Sequence, residues 1–141
     1  MTGDYDGDGH WDMAVYQEAT GLWYIRTLNG QLLVSEAMWG GPGCSPVAGD
    51  YDGDGCWDAA IYVQASGQWY IGTLDGRVLA WGIEWGGLGF EPVMGDYDGD
   101  GKWDLGVYQE ATGLWYIESL DGRILAWAIH WGGTGYRPIG N

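Results

Sequence analysis

Gly49-Asp50-Tyr51-Asp52-Gly53-Asp54-Gly55-Cys56-Trp57-Asp58 decides how this chain is read, because near-copies stand 46 residues to either side, at Gly3 to Asp12 and Gly95 to Asp104. Within each copy, carboxylates fall at positions 1, 3, 5 and 9 of a nine-residue run, with glycines at positions 4 and 6. Four acids so close together call for a shared positive charge. A hard dication accounts for both residue types: calcium takes six to eight oxygens at roughly 2.3–2.6 Å, and glycine supplies the positive φ angles of a tight curl.

The expected side-chain ligands are therefore Asp4, Asp6, Asp8 and Asp12 in the first loop, Asp50, Asp52, Asp54 and Asp58 in the second, and Asp96, Asp98, Asp100 and Asp104 in the third. Position 7 holds His10, Cys56 and Lys102, whose side chains share no chemistry, so a backbone carbonyl ligand is expected there. One Ca2+ per loop gives three per chain. The run begins like an EF-hand, but Val15, Ile61 and Val107 stand where that motif has its glutamate. Short β-prone segments flank the loops, as in Ala59-Ala60-Ile61-Tyr62, so the loops lie between strands.

Aligning residues 3–48, 49–94 and 95–140 without gaps leaves 23 of 46 columns identical in all three. A period of that size with several short β runs and no 3.6-residue periodicity matches four-stranded propeller blades. Asp-Tyr-Asp-Gly-Asp-Gly-x-Trp-Asp-x-x-Val/Ile-Tyr, then Gly-x-Trp-Tyr-Ile and Trp-Gly-Gly-x-Gly-x-x-Pro-Val/Ile, resembles the FG-GAP/VCBS family of integrin-like repeats across the whole chain. The resemblance implies calcium-binding propeller blades, an extracellular or surface setting, and roles from adhesion to glycan binding, but no single activity.

The expected fold is all-β, with residues 1–141 forming one unit of three four-stranded antiparallel blades. In the middle unit the strands are expected at 46–51, 58–63, 68–74 and 77–85, with Gln64-Ala65-Ser66-Gly67 as one turn and Asp75-Gly76 as a two-residue hairpin. Recurring Trp and Tyr columns are expected to pack between blades, and the Gly-Gly pairs after Trp39, Trp85 and Trp131 to allow close backbone approach. Pro138-Ile139-Gly140-Asn141 matches the start of the inner strand and Met1-Thr2-Gly3-Asp4-Tyr5 its remainder. Three blades are few for a propeller, and end repeats leave apolar faces open. Two chains joined head to tail into a six-bladed ring are one expectation, and a piece of a longer array is the other.

Net charge is −15, yet twelve of the twenty acids belong to the three loops. Five scattered basic residues make no stripe for phosphates, which argues against nucleic acid, and no apolar run is long enough to insert in a membrane as a helix. Met1-Thr2 leads into the first loop without a signal peptide. Calcium loops of modest affinity fill most reliably outside cells, so a secreted or surface setting is expected, with any signal lying beyond this chain. Cys44 and Cys56 flank one strand and are expected as free thiols.

Catalysis has little support: His10 and His130 do not recur as a pair, and no nucleophile elbow, His-Glu-x-x-His or phosphate-binding loop is present. A non-catalytic scaffold or recognition module is the leading reading, with protein or glycan as ligand. The alternative is a lectin-like propeller with aromatic pockets between blades. The columns Arg26/Gly72/Glu118, Glu36/Gly82/Ala128 and Met38/Glu84/His130 vary, and mark where a ligand surface could lie.

Overall fold

A computed structural model describes residues 2–139. Every regular element among them is a strand, and no helix is long and apolar enough to cross a membrane. Strands β1 (Thr2–Gly3), β2 (Asp12–Gln17), β3 (Leu22–Arg26) and β4 (Leu32–Met38) form one antiparallel sheet in chain order. Strands β5 (Cys44–Pro46), β6 (Ala59–Val63), β7 (Gln68–Gly72) and β8 (Val78–Glu84) form the second. The third comprises β9 (Phe90–Pro92), β10 (Leu105–Gln109), β11 (Leu114–Glu118) and β12 (Ile124–His130). Val15 faces Tyr24, Ile61 faces Tyr70 and Val107 faces Tyr116, so the register repeats with the sequence.

The order of each sheet follows from its turns. Gly67 N–H donates to Val63 O at 2.8 Å, closing the turn expected at 64–67. The second hairpin differs from expectation. Thr73 N–H donates to Arg77 O at 2.8 Å and Gly76 N–H to Thr73 O at 3.1 Å, so the loop is the three residues 74–76, with the positive φ of 98° carried by Gly76 alone. Arg77 N–H donates to Thr73 Oγ1 at 2.9 Å, while Thr73 bonds Asp75. A two-residue type I′ turn would need positive φ at Asp75 as well; the threonine hydroxyl satisfies the loop backbone instead.

The inner strand also differs. It runs Cys44–Pro46 rather than 46–51: Val47 N–H still donates to Ala60 O at 2.8 Å, and beyond it only an isolated bridge between Gly49 and Asp58 remains before the acidic loop begins at Asp50. In the first unit β1 is the counterpart of that bridge region. The expected completion of this strand involves Met1, Gly140 and Asn141, which lie outside the described residues.

Strands β6 and β10 are buried on both faces, as sheets packed face to face require, whereas β2 is buried on one face only. Trp69 and Ile71 are fully buried, as is Tyr62. One apolar cluster joins the first two sheets through Tyr5, Trp23, Trp57 and Ile61. The other joins the second and third through Tyr51, Tyr62, Leu105 and Val107. At each junction a tryptophan of the later sheet covers a glycine of the earlier one. A Cβ added to Gly3 would collide with the Trp57 ring, and one added to Gly49 with Trp103. The Gly-Gly pairs serve a different contact from the one expected: Gly40 and Gly86 admit the hydroxyls of Tyr16 and Tyr62 in their own sheets while also touching Ile61 and Val107 of the next.

One variable column has a backbone explanation. Glu36, Gly82 and Ala128 occupy a bulge in the outermost strands with φ of 58°, 73° and 56°. Glycine fits that conformation without strain, and the other two do not.

Candidate metal centre

Each acidic loop is organised from its own first carboxylate. Asp50 Oδ1 accepts the N–H groups of Gly53 at 2.8 Å and Asp54 at 3.2 Å, and Oδ2 accepts Gly55 N–H at 2.9 Å. Asp4 does the same for Gly7, Asp8 and Gly9, and Asp96 for Gly99, Asp100 and Gly101. These bonds curl the backbone around the carboxylate, and the curl demands φ near 79° at Gly53 and 89° at Gly55. The third and fifth acids cap the next residues: Asp52 Oδ1 accepts Asp54 N–H at 3.2 Å and Asp54 Oδ1 accepts Cys56 N–H at 2.8 Å. The ninth is buried, with Asp58 Oδ2 accepting Tyr51 N–H at 2.8 Å.

This curl gathers carboxylate oxygens. One oxygen each from Asp50, Asp52 and Asp58 lies within 4.8 Å of the others, and the same holds for Asp96, Asp98 and Asp104. In the first loop the trio is Asp4, Asp6 and Asp8. Oxygens bound to one calcium sit on a sphere about 5 Å across, so each trio fits around such an ion. Positions 1 and 3 thus come together in every loop. Position 9 joins them in the second and third loops and position 5 in the first, leaving Asp12, Asp54 and Asp100 outside the trios.

None of the side chains at position 7 belongs to these trios. His10 is solvent-exposed, with Nδ1 3.4 Å from Asp8. The Cys56 thiol lies against Gly7 of the preceding loop, and the Lys102 chain against Gly53. Cys44 and Cys56 are free thiols, as expected.

Electrostatics sharpen the need for a cation. Burial first, and then the neighbouring Asp52, Asp54 and Asp50 carboxylates, push Asp58 up to about 7 against the opposing Tyr51 N–H bond. Burial likewise raises Asp104 and Asp50. Ionising these groups in a folded loop is costly unless positive charge is brought in.

Two arginines supply part of that charge, and sequence reasoning missed them. Arg77 Nη2 donates to Asp52 Oδ2 at 2.9 Å and stands 3.9 Å from Asp54, while Arg123 repeats this with Asp98 at 3.0 Å and Asp100 at 3.9 Å. Their recurrence one residue after the Asp-Gly hairpin was the available signal. Gln31 holds the place in the first unit, the same unit whose carboxylate trio differs.

A second repeated feature lies between sheets. Trp39, Gly40, Cys44, Ile61, Tyr70 and Trp81 line a groove of about 390 Å³ at the first junction, and their counterparts Trp85, Gly86, Phe90, Val107, Tyr116 and Trp127 line one of about 280 Å³ at the second. Trp81 stands edge-on to Tyr70 at 5.0 Å, as Trp127 does to Tyr116. Both tryptophans are mostly exposed.

Comparison with known proteins adds one match. A family model described as an FG-GAP-like repeat covers residues 4–61, from the first loop through the second and into β6. It does not single out the VCBS branch. Neither the comparison with curated proteins nor that with solved structures yields a match. Residues 4–61 are therefore similar to the FG-GAP-like repeat family, and the sequence of that stretch recurs at a 46-residue period through the rest of the chain.

Proposed function

We propose that this chain is a calcium-stabilised, non-catalytic propeller module, a scaffold for recognition in a secreted or surface setting. The observation that carries this reading is the threefold recurrence of an all-oxygen carboxylate trio on one loop design. The donor set suits a hard cation, since no imidazole or thiolate takes part. Asp50, Asp52 and Asp58, with Asp96, Asp98 and Asp104, would hold the ion in two loops, and Asp4, Asp6 and Asp8 in the first. The remaining acids Asp12, Asp54 and Asp100, and the carbonyls of His10, Cys56 and Lys102, would complete the oxygen shell. Bound calcium supplies the charge that lets these carboxylates stay ionised in a folded loop, so binding free energy becomes folding free energy. The carboxylates are committed to loop N–H groups, arginines and the trio, which leaves them poorly suited to proton transfer. Calcium titration by calorimetry, with the bound metal counted after dialysis, should give three ions per chain; no bound calcium at millimolar concentration would refute the reading.

The two grooves favour a second reading, a lectin-like module. Two aromatic walls in the same arrangement at both junctions suit the apolar face of a sugar ring. Saturable binding on a glycan array, lost in Trp81→Ala and Trp127→Ala, would establish it, and silence across the array would leave a protein ligand.

A further inference from the structure

The two outer faces of the molecule are the two halves of an interface that it already builds twice. At each internal junction the ring of Trp57 or Trp103 covers Gly3 or Gly49, and the backbone N–H of the same residue donates to the carbonyl of Asp4 or Asp50 at 2.8 Å. The covered tyrosines Tyr5 and Tyr51 are 2% and 0% exposed. The third glycine in this series, Gly95, has only the Tyr97 ring beside it, and Tyr97 is 44% exposed. The third tryptophan, Trp11, is 60% exposed at the opposite end of the chain. One face has the socket without the ring, and the other has the ring without the socket.

Strand pairing shows the same complementarity. Ile61 pairs Pro46 and Val107 pairs Pro92, whereas the β1–β2 pairing ends at Thr2–Met13 and leaves Val15 to Gln17 without an inner-strand partner among the described residues. Val15 is 64% exposed, against 4% for Ile61 and 1% for Val107. Tyr136 to Pro138 occupy the repeat positions of Cys44 to Pro46 and Phe90 to Pro92. They leave the preceding turn by the same bond, Tyr136 N–H to Gly133 O at 2.9 Å, and form no strand. Trp39 and Trp85 each donate Nε1–H across a junction, to Tyr70 O and Tyr116 O at 3.2 Å, while their counterpart Trp131 is 78% exposed.

We propose that the partner of these faces is a second copy of this chain, joined head to tail at two identical junctions into a closed ring of six sheets. In that contact Trp11 of one copy covers Gly95 and Tyr97 of the other, Tyr136 to Pro138 complete the sheet beside Val15 to Gln17, and Trp131 Nε1 donates to the Tyr24 carbonyl. Every one of these contacts copies one formed twice within the chain, so nothing in the packing has to be invented. The pairing rests on this geometry and not on what the loops bind.

Light scattering on the 141-residue chain in millimolar calcium tests it. A mass of twice 15.4 kDa is expected. Trp11→Ala and Gly95→Val should each return it to one chain's mass with unchanged circular dichroism. Trp11 is exposed within the single chain, and Gly95 has room for a side chain there but not once a tryptophan covers it. A single-chain mass for the parent, an open-ended distribution that grows with concentration, or a dimer indifferent to both substitutions would overturn the proposal.

Discussion

Metal-free protein should lose stability as pH rises from 5 to about 7, and calcium should flatten that slope. Asp58 titrates near 7 in the folded chain against a reference of 3.8. Between those values the unfolded chain has released a proton that the folded chain retains, so each pH unit favours unfolding by about 1.4 kcal/mol. Only the part between pH 5 and 7 falls in this range, at most about 3 kcal/mol, and the solvent still reaching the loop reduces it to about 1.5. Asp104 and Asp50 shift in the same direction and add to the effect. A chain of this size moves its melting temperature by roughly 3–4 °C per kcal/mol, so a fall of about 5 °C is expected, complete by about pH 7. Calcium at a hundred times its Kd adds about 2.7 kcal/mol per site and holds Asp58 ionised in the folded chain as it already is in the unfolded one, so no proton is exchanged on unfolding and stability becomes nearly independent of pH. Melting followed by tryptophan fluorescence at four pH values, in stripped and calcium-loaded protein, reads both slopes. Asp58→Asn should flatten part of the metal-free slope. A metal-free melting temperature that is constant or rises with pH would refute the reasoning, as would identical slopes in the two conditions.

Other tests follow from single contacts. Gly49→Ala should cost about 1–3 kcal/mol in urea denaturation, because the new methyl group meets Trp103 in a packed junction. Ala128→Gly should stabilise by about 1 kcal/mol, since it removes a left-handed non-glycine residue from the bulge where Gly82 already serves; an unchanged denaturation midpoint would count against strain there. Arg77→Gln should tighten calcium binding at the second loop roughly two- to fourfold, measured by calorimetry, because it removes an exposed guanidinium from beside Asp52; weaker binding would mean that the arginine orients the ligand instead.

What was legible in the sequence is what lies close along the chain. The carboxylates of a loop fall within nine residues, so their spacing and the two glycines suffice to fix a curl that gathers them. The same locality explains why four strands per unit could be counted, and why Gly67 closes its turn as expected. Differences arose where a side chain or a loop intervened: Thr73 made the second hairpin a three-residue loop, and the inner strand thins to single contacts at Val47 and Gly49 before the acidic loop.

Tertiary structure alone decided which copies of a repeated residue do the same work. Trp11 and Trp57 are indistinguishable in the sequence, yet one is 60% exposed and the other 8%, because only the second has a preceding sheet to cover. Asp12 and Asp58 likewise occupy one column, but only Asp58 joins its trio, in a loop where Arg77 reaches Asp52 from 25 residues away. Local spacing sets conformation through bonds that every unit can make for itself. Burial and charge pairing depend on neighbours distant in the chain, and those differ between the first, middle and last sheets.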